Sequence, residues 1–215
     1  MAALDAIAAV PELEFSVEQA GAHPHAAVPT LRFAVRIERT GGAPVRSAAL
    51  HVQVRIAAPR RPYDEAERER LRGLFGSAEQ WGDGLRSLLW TTGSLAVGPF
   101  ERSTTVELTV PCTYDFEVAA AQYLHALRDG EIPLELLFSG TVFHAHASGL
   151  RVALLPWDRE AACALPVAAW REAMEHHFPG SAWLRLDADT FDRLHAYRTA
   201  HALPNWEATI DELLP

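Results

Sequence analysis

The amino-acid sequence predicts an α+β fold, built from an antiparallel, β-sandwich-like sheet with an embedded helix and a helical C-terminal region. Three observations lead to this fold class. Two early segments alternate strictly between apolar and polar residues, a central segment has apolar residues at helical spacing, and the last part of the chain has the pattern of short amphipathic helices. With 215 residues and 49% hydrophobic content, the chain is long enough to bury a substantial core.

The first predicted elements are β-strands. The segments "TLRFAVRIE" (30–38) and "LHVQVRI" (50–56) are apolar at every second position, which is typical of antiparallel strands with one buried and one wetter face. The "RTGGAPVRS" between them contains a Gly-Gly pair and a proline, as expected of a hairpin connection. Shorter alternating runs, "LEFSV" (13–17) and "VELTV" (106–110), predict further strands.

A helical insert follows the second alternating segment. Asp64 is a suitable N-cap for "EAERERLRGLF" (65–75), and we expect the preceding basic run "APRRPYD" to be a solvated loop that leads into this helix. Trp81 and Trp90 lie near the end of the insert. If they are exposed they indicate a binding patch, and if they are buried they anchor the insert to the sheet.

The central segment predicts an embedded helix and then a hairpin. Asp115 is placed to cap a helix near 116–128, and Gly130 follows its predicted end. The next stretch, "PLELLFSGTVF" (133–143), is apolar on both faces and predicts an interior strand. We expect "LRVALL" (150–155) to pair with it through the turn "HASG".

The C-terminal part predicts helices at "LPVAAWREAMEHHF" (165–178), "DADTFDRLHAYRTAHAL" (187–203) and "PNWEATIDELL" (204–214). We therefore expect a sheet domain over residues 1–158, with its insert near 63–90 and its embedded helix near 116–128. A helical appendage over 159–215 would pack on it. Trp183 and Trp206 could anchor this appendage or contribute to a partner surface.

Composition excludes several classes of function. The net charge of −9 argues against nucleic-acid binding, which requires a basic face. The sequence contains no lysine, so Schiff-base chemistry, a pyridoxal-phosphate anchor and a P-loop lysine are excluded. Cys112 and Cys163 are the two cysteines, and we expect both to be core thiols of a protein in a reducing compartment. With neither a signal peptide nor a membrane span in the sequence, we expect a cytoplasmic protein.

Two histidines are the candidate metal ligands. On a continuous strand, His144 and His146 would share one side, which is the geometry of a two-histidine site. Zinc requires a third ligand and usually a fourth, and no H-E-x-x-H or Cys/His ribbon motif supplies them. The alternative interpretation is that "HAHASG" forms a polar turn.

Three segments carry a resemblance to a known family. The runs "PCTYDFEVAAAQYLHALRDGEIPLELLFSGTVF", "LPWDREAACALPVAAWREAMEHHFPGSAWLRL" and "ALPNWEATIDELL" resemble a family with a domain of unknown function from high-GC Gram-positive bacteria. The resemblance extends over nearly the whole chain from "LEFSV" onward. It implies an accessory role, because genes of that family often lie near NiFe-hydrogenase genes. The family pattern does not require histidines after "GTVF", which weakens the metal interpretation.

These observations support two hypotheses from different classes. The first is a non-enzymatic accessory, scaffold or interaction protein that supports assembly or maturation of a NiFe-hydrogenase-type metalloenzyme. Its partner would be a protein, such as hydrogenase subunits or maturation factors, and its contact residues would be Trp81, Trp90, Trp183 and Trp206. This hypothesis predicts no cofactor, no nucleic-acid partner and no membrane insertion. The alternative is a metal-binding enzyme that holds a transition metal on His144 and His146.

Overall fold

The computed structural model of the chain describes residues 9–77, 79, 81–113, 115, 118–181 and 184–214, except for the side chains of residues 83 and 84. The described residues form two antiparallel sheets and a set of short helices, which confirms the predicted α+β fold. The chain divides into two compact units, Met1–Ala182 and Trp183–Pro215.

Both sheets belong to the first unit. The smaller sheet has the strand order β1-β2-β5, with β1 at Glu12–Ala22, β2 at Thr30–Gly41 and β5 at Ser103–Pro111. The larger sheet has the order β4-β3-β6-β7, and β8 also pairs with β6. Its strands are β3 (Val45–Ile56), β4 (Leu88–Val97), β6 (Glu131–His146), β7 (Gly149–Leu154) and β8 (Glu160–Pro166). All strand pairings are antiparallel, as the alternating segments predict.

The core lies between the apolar faces of these sheets. Over residues 31–37 of β2 and 48–56 of β3 every second residue is buried, because successive side chains of a strand point to opposite faces. Phe15 of β1 and Phe138 of β6 stack with their ring centroids 4.2 Å apart, so the two sheets are in direct contact. This is the sandwich arrangement that the periodicity predicts.

Strand β6 changes its neighbour halfway along its length. Residues 131–137 pair with β8, whereas residues 141–146 pair with β7. Gly140 lies at the change with a φ of +142°, and a Cβ atom there would lie 2.2 Å from the carbonyl oxygen of Ala49. Only glycine fits this position, because its backbone region is strained for other residues and the neighbouring strand approaches too closely.

Short helices connect the strands of the first unit. A 3₁₀ turn at Ala58–Arg60 precedes α1 (Glu65–Arg70), α2 (Arg72–Phe75) and α3 (Trp81–Gly84), which form the predicted insert. Asp64 caps α1 as expected, since its carboxylate accepts a hydrogen bond of 2.7 Å from the Glu67 backbone N–H. The insert ends at β4, which begins at Leu88.

The embedded helix α4 is shorter than the sequence indicates. It spans Ala119–Ala126 and its N-cap position is Val118, so Asp115 does not cap it. Residues 116 and 117 of the predicted first turn lie outside the described residues. Gly130 has a φ of +74° and immediately precedes β6, where it turns the chain into the strand.

The part of the first unit that follows residue 158 begins with a strand. β8 pairs with β6, and α5 (Val167–His177) packs on β1, β2 and β8. The compact unit therefore extends past the boundary expected at 158. The reason is that Glu160–Pro166 is completed as a strand by hydrogen bonds to β6, although its Ala- and Cys-rich sequence has little strand propensity.

The second unit contains two helices, α6 (Ala188–Ala200) and α7 (Trp206–Leu213). Asp187 and Asn205 cap them, accepting hydrogen bonds of 2.9 Å from Thr190 N–H and 2.8 Å from Ala208 N–H. Both helices match the sequence patterns closely. Among the described residues, no helix has the length and apolar character needed to cross a bilayer.

Candidate functional site

The most distinctive surface feature of the protein is the hairpin formed by β6 and β7. Its two strands are joined by the turn Ala147–Ser148, with His146 opposite Gly149. Gly149 has a φ of +114°, which suits the exit of a tight turn. The hairpin confirms the pairing expected between "LRVALL" and the preceding strand.

The hydrogen-bond pattern of this hairpin determines which way the backbone of β7 points. Leu155 N–H donates to the Gly140 carbonyl oxygen over 2.9 Å, and bonded and non-bonded pairs alternate along an antiparallel ladder. Arg151, which lies opposite His144, therefore bonds to β6. The N–H and C=O groups of the alternate residues on β7, which are Leu150, Val152 and Leu154, point away from β6.

The side chains of these three residues are exposed as well. Leu150 is 61%, Val152 60% and Leu154 78% exposed, and all three lie on one side of the strand because they are two residues apart. Trp157, in the turn after β7, is 92% exposed. These four residues leave large, mostly apolar side chains exposed close together in the sequence, which is the kind of surface that marks an interaction site.

The two candidate metal ligands take part in this hairpin. His144 is 3% exposed, and its Nδ1–H donates to the Ala145 carbonyl oxygen over 3.2 Å. The Nδ1 of His146 accepts a hydrogen bond of 3.1 Å from Ser148 N–H and lies 2.8 Å from the Ser148 hydroxyl. His146 thus stabilises the turn.

Among the described residues, no third metal ligand joins this pair. His144 and His146 share one side of β6, as the strand parity predicts. Within the described part of the chain, however, no group of three or more His, Cys, Asp or Glu residues is placed to hold a metal ion.

The tryptophans expected at a partner surface have different environments. Trp81 is half-buried, makes edge-to-face contacts with Tyr63 and Phe75 at centroid distances of 5.2 and 6.0 Å, and donates to the Gly76 carbonyl oxygen over 3.3 Å. Trp90 on β4 is also half-buried and packs against the core. Both side chains therefore attach the insert and β4 to the sheet sandwich.

The other two tryptophans belong to the second unit. Trp206 lies 5.5 Å from Phe191 and 6.1 Å from His195 between ring centroids, and the Arg198 guanidinium lies 4.7 Å from its ring centroid. This aromatic cluster joins α6 to α7. Trp183 lies outside the described residues.

A buried ion pair anchors the helical insert, where the sequence suggests only a solvated loop. Arg61 donates to both carboxylate oxygens of Glu67 over 2.6 and 2.9 Å, and the two side chains are 7% and 4% exposed. Arg61 also donates to the carbonyl oxygens of Asp129 and Glu131, and Glu67 accepts from the Arg128 backbone N–H over 2.8 Å. The expectation of a solvated basic run is therefore wrong for Arg61, because these partners satisfy its charge inside the fold.

This ion pair sets the pKa of Glu67. Burial by itself would raise that pKa, but the hydrogen bonds from Arg61 and Arg128 and the charge of Arg61 lower it below the usual value of a glutamate. Nearby, the Tyr63 and Tyr123 hydroxyls lie 2.7 Å apart, and burial raises the pKa of both. The cluster has a structural role, because it connects the insert to α4 and to the start of β6.

The cysteine thiols are poor nucleophiles. Burial raises the pKa of Cys112 to about 12 and that of Cys163 to about 11. Both remain protonated at neutral pH, and the thiolate is the reactive form. This is consistent with the expected role of both residues in packing.

An open groove of about 1140 Å³ lies among α1, α2, α4 and α5. Its floor includes Trp170, whose buried indole N–H has no hydrogen-bond partner among the described residues. Arg171, Glu172 and Glu175 lie along it, together with His125. Burial and two nearby arginines lower the pKa of His125. Because charges of both signs line the groove, it does not select a ligand of either charge.

Comparison with known proteins identifies a matching family and several solved structures with low similarity to this chain. No curated protein sequence matches the chain. The CARDB domain of the PF1109 protein from Pyrococcus furiosus, solved with di-metal ions, is 11% identical; the match covers 72% of this chain and 91% of that domain, with a TM-score of 0.29. Beta-glucosidase 3B from Thermotoga neapolitana, solved with glucose, is 17% identical over 71% of this chain and 16% of that enzyme, with a TM-score of 0.29.

The ApaA protein from Bordetella pertussis is 13% identical over 74% of this chain and 95% of that protein, with a TM-score of 0.28. Scores this low carry no argument about function. The family match is of another kind, since it follows the sequence from residue 10 to residue 215. The chain therefore belongs to the family of unknown function DUF6084.

Proposed function

We propose that this protein is a non-enzymatic accessory or scaffold protein that engages another protein through β7 and the turn after it. The observation that carries the proposal is the apolar strand exposed at the end of the larger sheet, with Leu150, Val152 and Leu154 on one side and Trp157 beyond it. We define these four side chains as the β7 patch.

Two physical arguments support a binding role for the β7 patch. Exposed apolar area is unfavourable in water, and burial returns about 25 cal/mol per Å². Edge strands are usually shielded by charged side chains, bulges or covering segments, yet on this side of β7 the residues are Leu, Val and Leu. A tryptophan and branched aliphatic side chains at the end of a sheet suit a protein partner, which can bury them in a pocket.

The chemistry of the partner follows from the family and from the charge of the chain. The net charge of −9 disfavours nucleic acid, so a protein is the partner class we propose. The resemblance to a family whose genes often lie near NiFe-hydrogenase genes suggests hydrogenase subunits or maturation factors, and we propose a cytoplasmic location. In this proposal Trp157 replaces Trp81 and Trp90 as the aromatic contact, because those two side chains pack on the core.

The test is capture of partners from the native host with a tag that is not polyhistidine. Hydrogenase subunits or maturation factors should be enriched with the natural protein and lost with Trp157→Ala and Leu154→Ser. Leu89→Ser is the matched control, since Leu89 is 58% exposed on β4, at the opposite edge of the same sheet. Equal capture by the patch variants and the control would refute a binding role for the patch, and a protein that captures no partner would refute the scaffold function.

A further inference from the structure

We propose that β7 pairs edge to edge with β7 of a second copy of this chain, antiparallel and about a two-fold axis at Val152. This inference rests on the proposed function, because it names what lies along the backbone edge of the same strand. The apolar side chains above the joined strands would then form one two-fold-symmetric surface for the partner protein.

The outer backbone edge of β7 has the geometry needed to hydrogen-bond to a further strand. The N–H and C=O groups of Leu150, Val152 and Leu154 point away from β6, as the alternation of the hairpin ladder requires. β7 is the last strand in the order β4-β3-β6-β7 of the described residues. Within the described part of the chain these groups have no hydrogen-bond partner, and such a row is the template that another strand extends.

The residues of β7 whose backbone groups point outward, Leu150, Val152 and Leu154, are symmetric about Val152 in sequence, because they read Leu-Val-Leu in both directions. In "LRVAL", a two-fold axis at Val152 places Leu150 opposite Leu154 of the second copy and Val152 opposite itself. The residues whose backbone groups point outward are then the ones that pair. On the other side, Arg151 lies opposite Ala153 of the second copy, so no two like charges face each other.

Neighbouring registers are less favourable. An axis at Arg151 would set the two Arg151 side chains directly opposite each other, and like charges in that position destabilise a strand pair. An axis at Ala153 would leave the outward groups of Leu150 without a partner inside β7. The arrangement about Val152 is the one that satisfies both the hydrogen bonds and the charges.

The length of the strand indicates how strong this dimer should be. A stable interface buries about 800 Å² on each partner, and pairing along a single strand of 6 residues covers less than that. We therefore expect a weak and reversible dimer. Each chain carries a net charge of −9, so added salt should screen the repulsion and strengthen the dimer.

Sedimentation of charge variants tests the register. Val152→Lys and Val152→Glu should each be monomeric at concentrations at which the natural chain is dimeric, because two like charges would meet at the axis. An equimolar mixture of the two variants should recover the dimer, since opposite charges then face each other. Leu89→Lys, at the other edge of the sheet, is the control and should dimerise as the natural chain does.

A cysteine variant keeps the test decisive if a charged residue disturbs the hairpin. In a bonded antiparallel pair the Cα atoms lie about 5.5 Å apart, within the range that a disulfide spans. Oxidation of Val152→Cys with diamide should therefore give a covalent dimer, whereas Leu89→Cys should stay monomeric. A natural chain that is monomeric up to high micromolar concentration, or a dimer that Val152→Glu and Val152→Lys leave unchanged, would overturn the inference.

These outcomes are separate from those of the proposed function. If the natural chain is monomeric and Trp157→Ala still abolishes capture of the partner, the dimer proposal is refuted and the scaffold proposal is supported. If Val152→Glu abolishes dimerisation but the natural chain captures no partner, the dimer proposal is supported and the scaffold proposal is refuted. If the purified natural chain stays monomeric in sedimentation while Val152→Glu abolishes capture of a cellular protein, that protein binds the edge of β7 in place of a second copy and the dimer proposal fails.

Discussion

Replacing Glu67 with glutamine should destabilise the protein strongly, because the variant leaves the buried Arg61 without its counter-charge. The Arg61 side chain is 7% exposed and donates to both oxygens of Glu67. Removing one partner of a buried ion pair costs about 3–5 kcal/mol. Arg61 keeps its hydrogen bonds to the Asp129 and Glu131 carbonyl oxygens, and the glutamine oxygen can still accept one bond. We therefore expect a loss near the lower end, about 3 kcal/mol.

The pH dependence provides a second measure of the same interaction. The pKa of Glu67 is lower in the folded than in the unfolded protein, so its contribution is fully present above the unfolded pKa of about 4.3. It is lost as the pH falls through the folded pKa. The difference in unfolding free energy between the natural chain and Glu67→Gln should be constant near neutral pH and shrink below about pH 4.

The assay is urea denaturation followed by tryptophan fluorescence and circular dichroism at pH 7 and at about pH 3, below the unfolded pKa of a glutamate. The control is Glu69→Gln, which removes an exposed ion pair to Arg72 at 3.4 Å and should cost less than about 0.5 kcal/mol. A Glu67→Gln variant as stable as this control at pH 7 would refute the argument that the pair anchors the insert. A difference that does not change with pH would refute the assignment of Glu67 as the titrating group.

Three further outcomes follow from the structure. Gly140→Ala should lower the unfolding free energy by at least about 2 kcal/mol in the same denaturation assay, because its φ and the close Ala49 oxygen exclude a Cβ atom; an unchanged midpoint would contradict this. Elemental analysis of untagged protein should find no stoichiometric zinc, nickel or iron, and metal that is lost in a His144→Ala/His146→Ala variant would contradict the turn role of the histidines. Iodoacetamide at pH 8 should modify Cys112 far more slowly in native than in unfolded protein, since burial raises its pKa to about 12; equal rates would contradict its burial.

Much of the fold can be predicted from the sequence, because local patterns determine local structure. The alternation of β2 and β3 and the helices expected within 187–203 and 204–214 appear in the structure where the sequence places them. The strand β8 could not be predicted, because its "EAACALP" is stabilised by pairing with β6, and its own residues have little strand propensity. Likewise, nothing local shows that Arg61 meets Glu67, Asp129 and Glu131 inside the fold.

The exposed side of β7 shows a different limit of sequence interpretation. An alternating strand reveals its period, but its neighbours decide which side faces the core. In the β6–β7 hairpin, Phe143 lies opposite Val152, so the two side chains share a face. The even-numbered residues of β6, such as Phe138 and Val142, face the core, which sends Phe143 and therefore Val152 to the outside. Because β6 is apolar on both faces, its sequence alone does not show whether its odd-numbered or its even-numbered residues face the core. Because Phe138 and Val142 take the core side of β6, the apolar side of β7 must lie away from the core, and among the described residues its leucines and valine stay exposed.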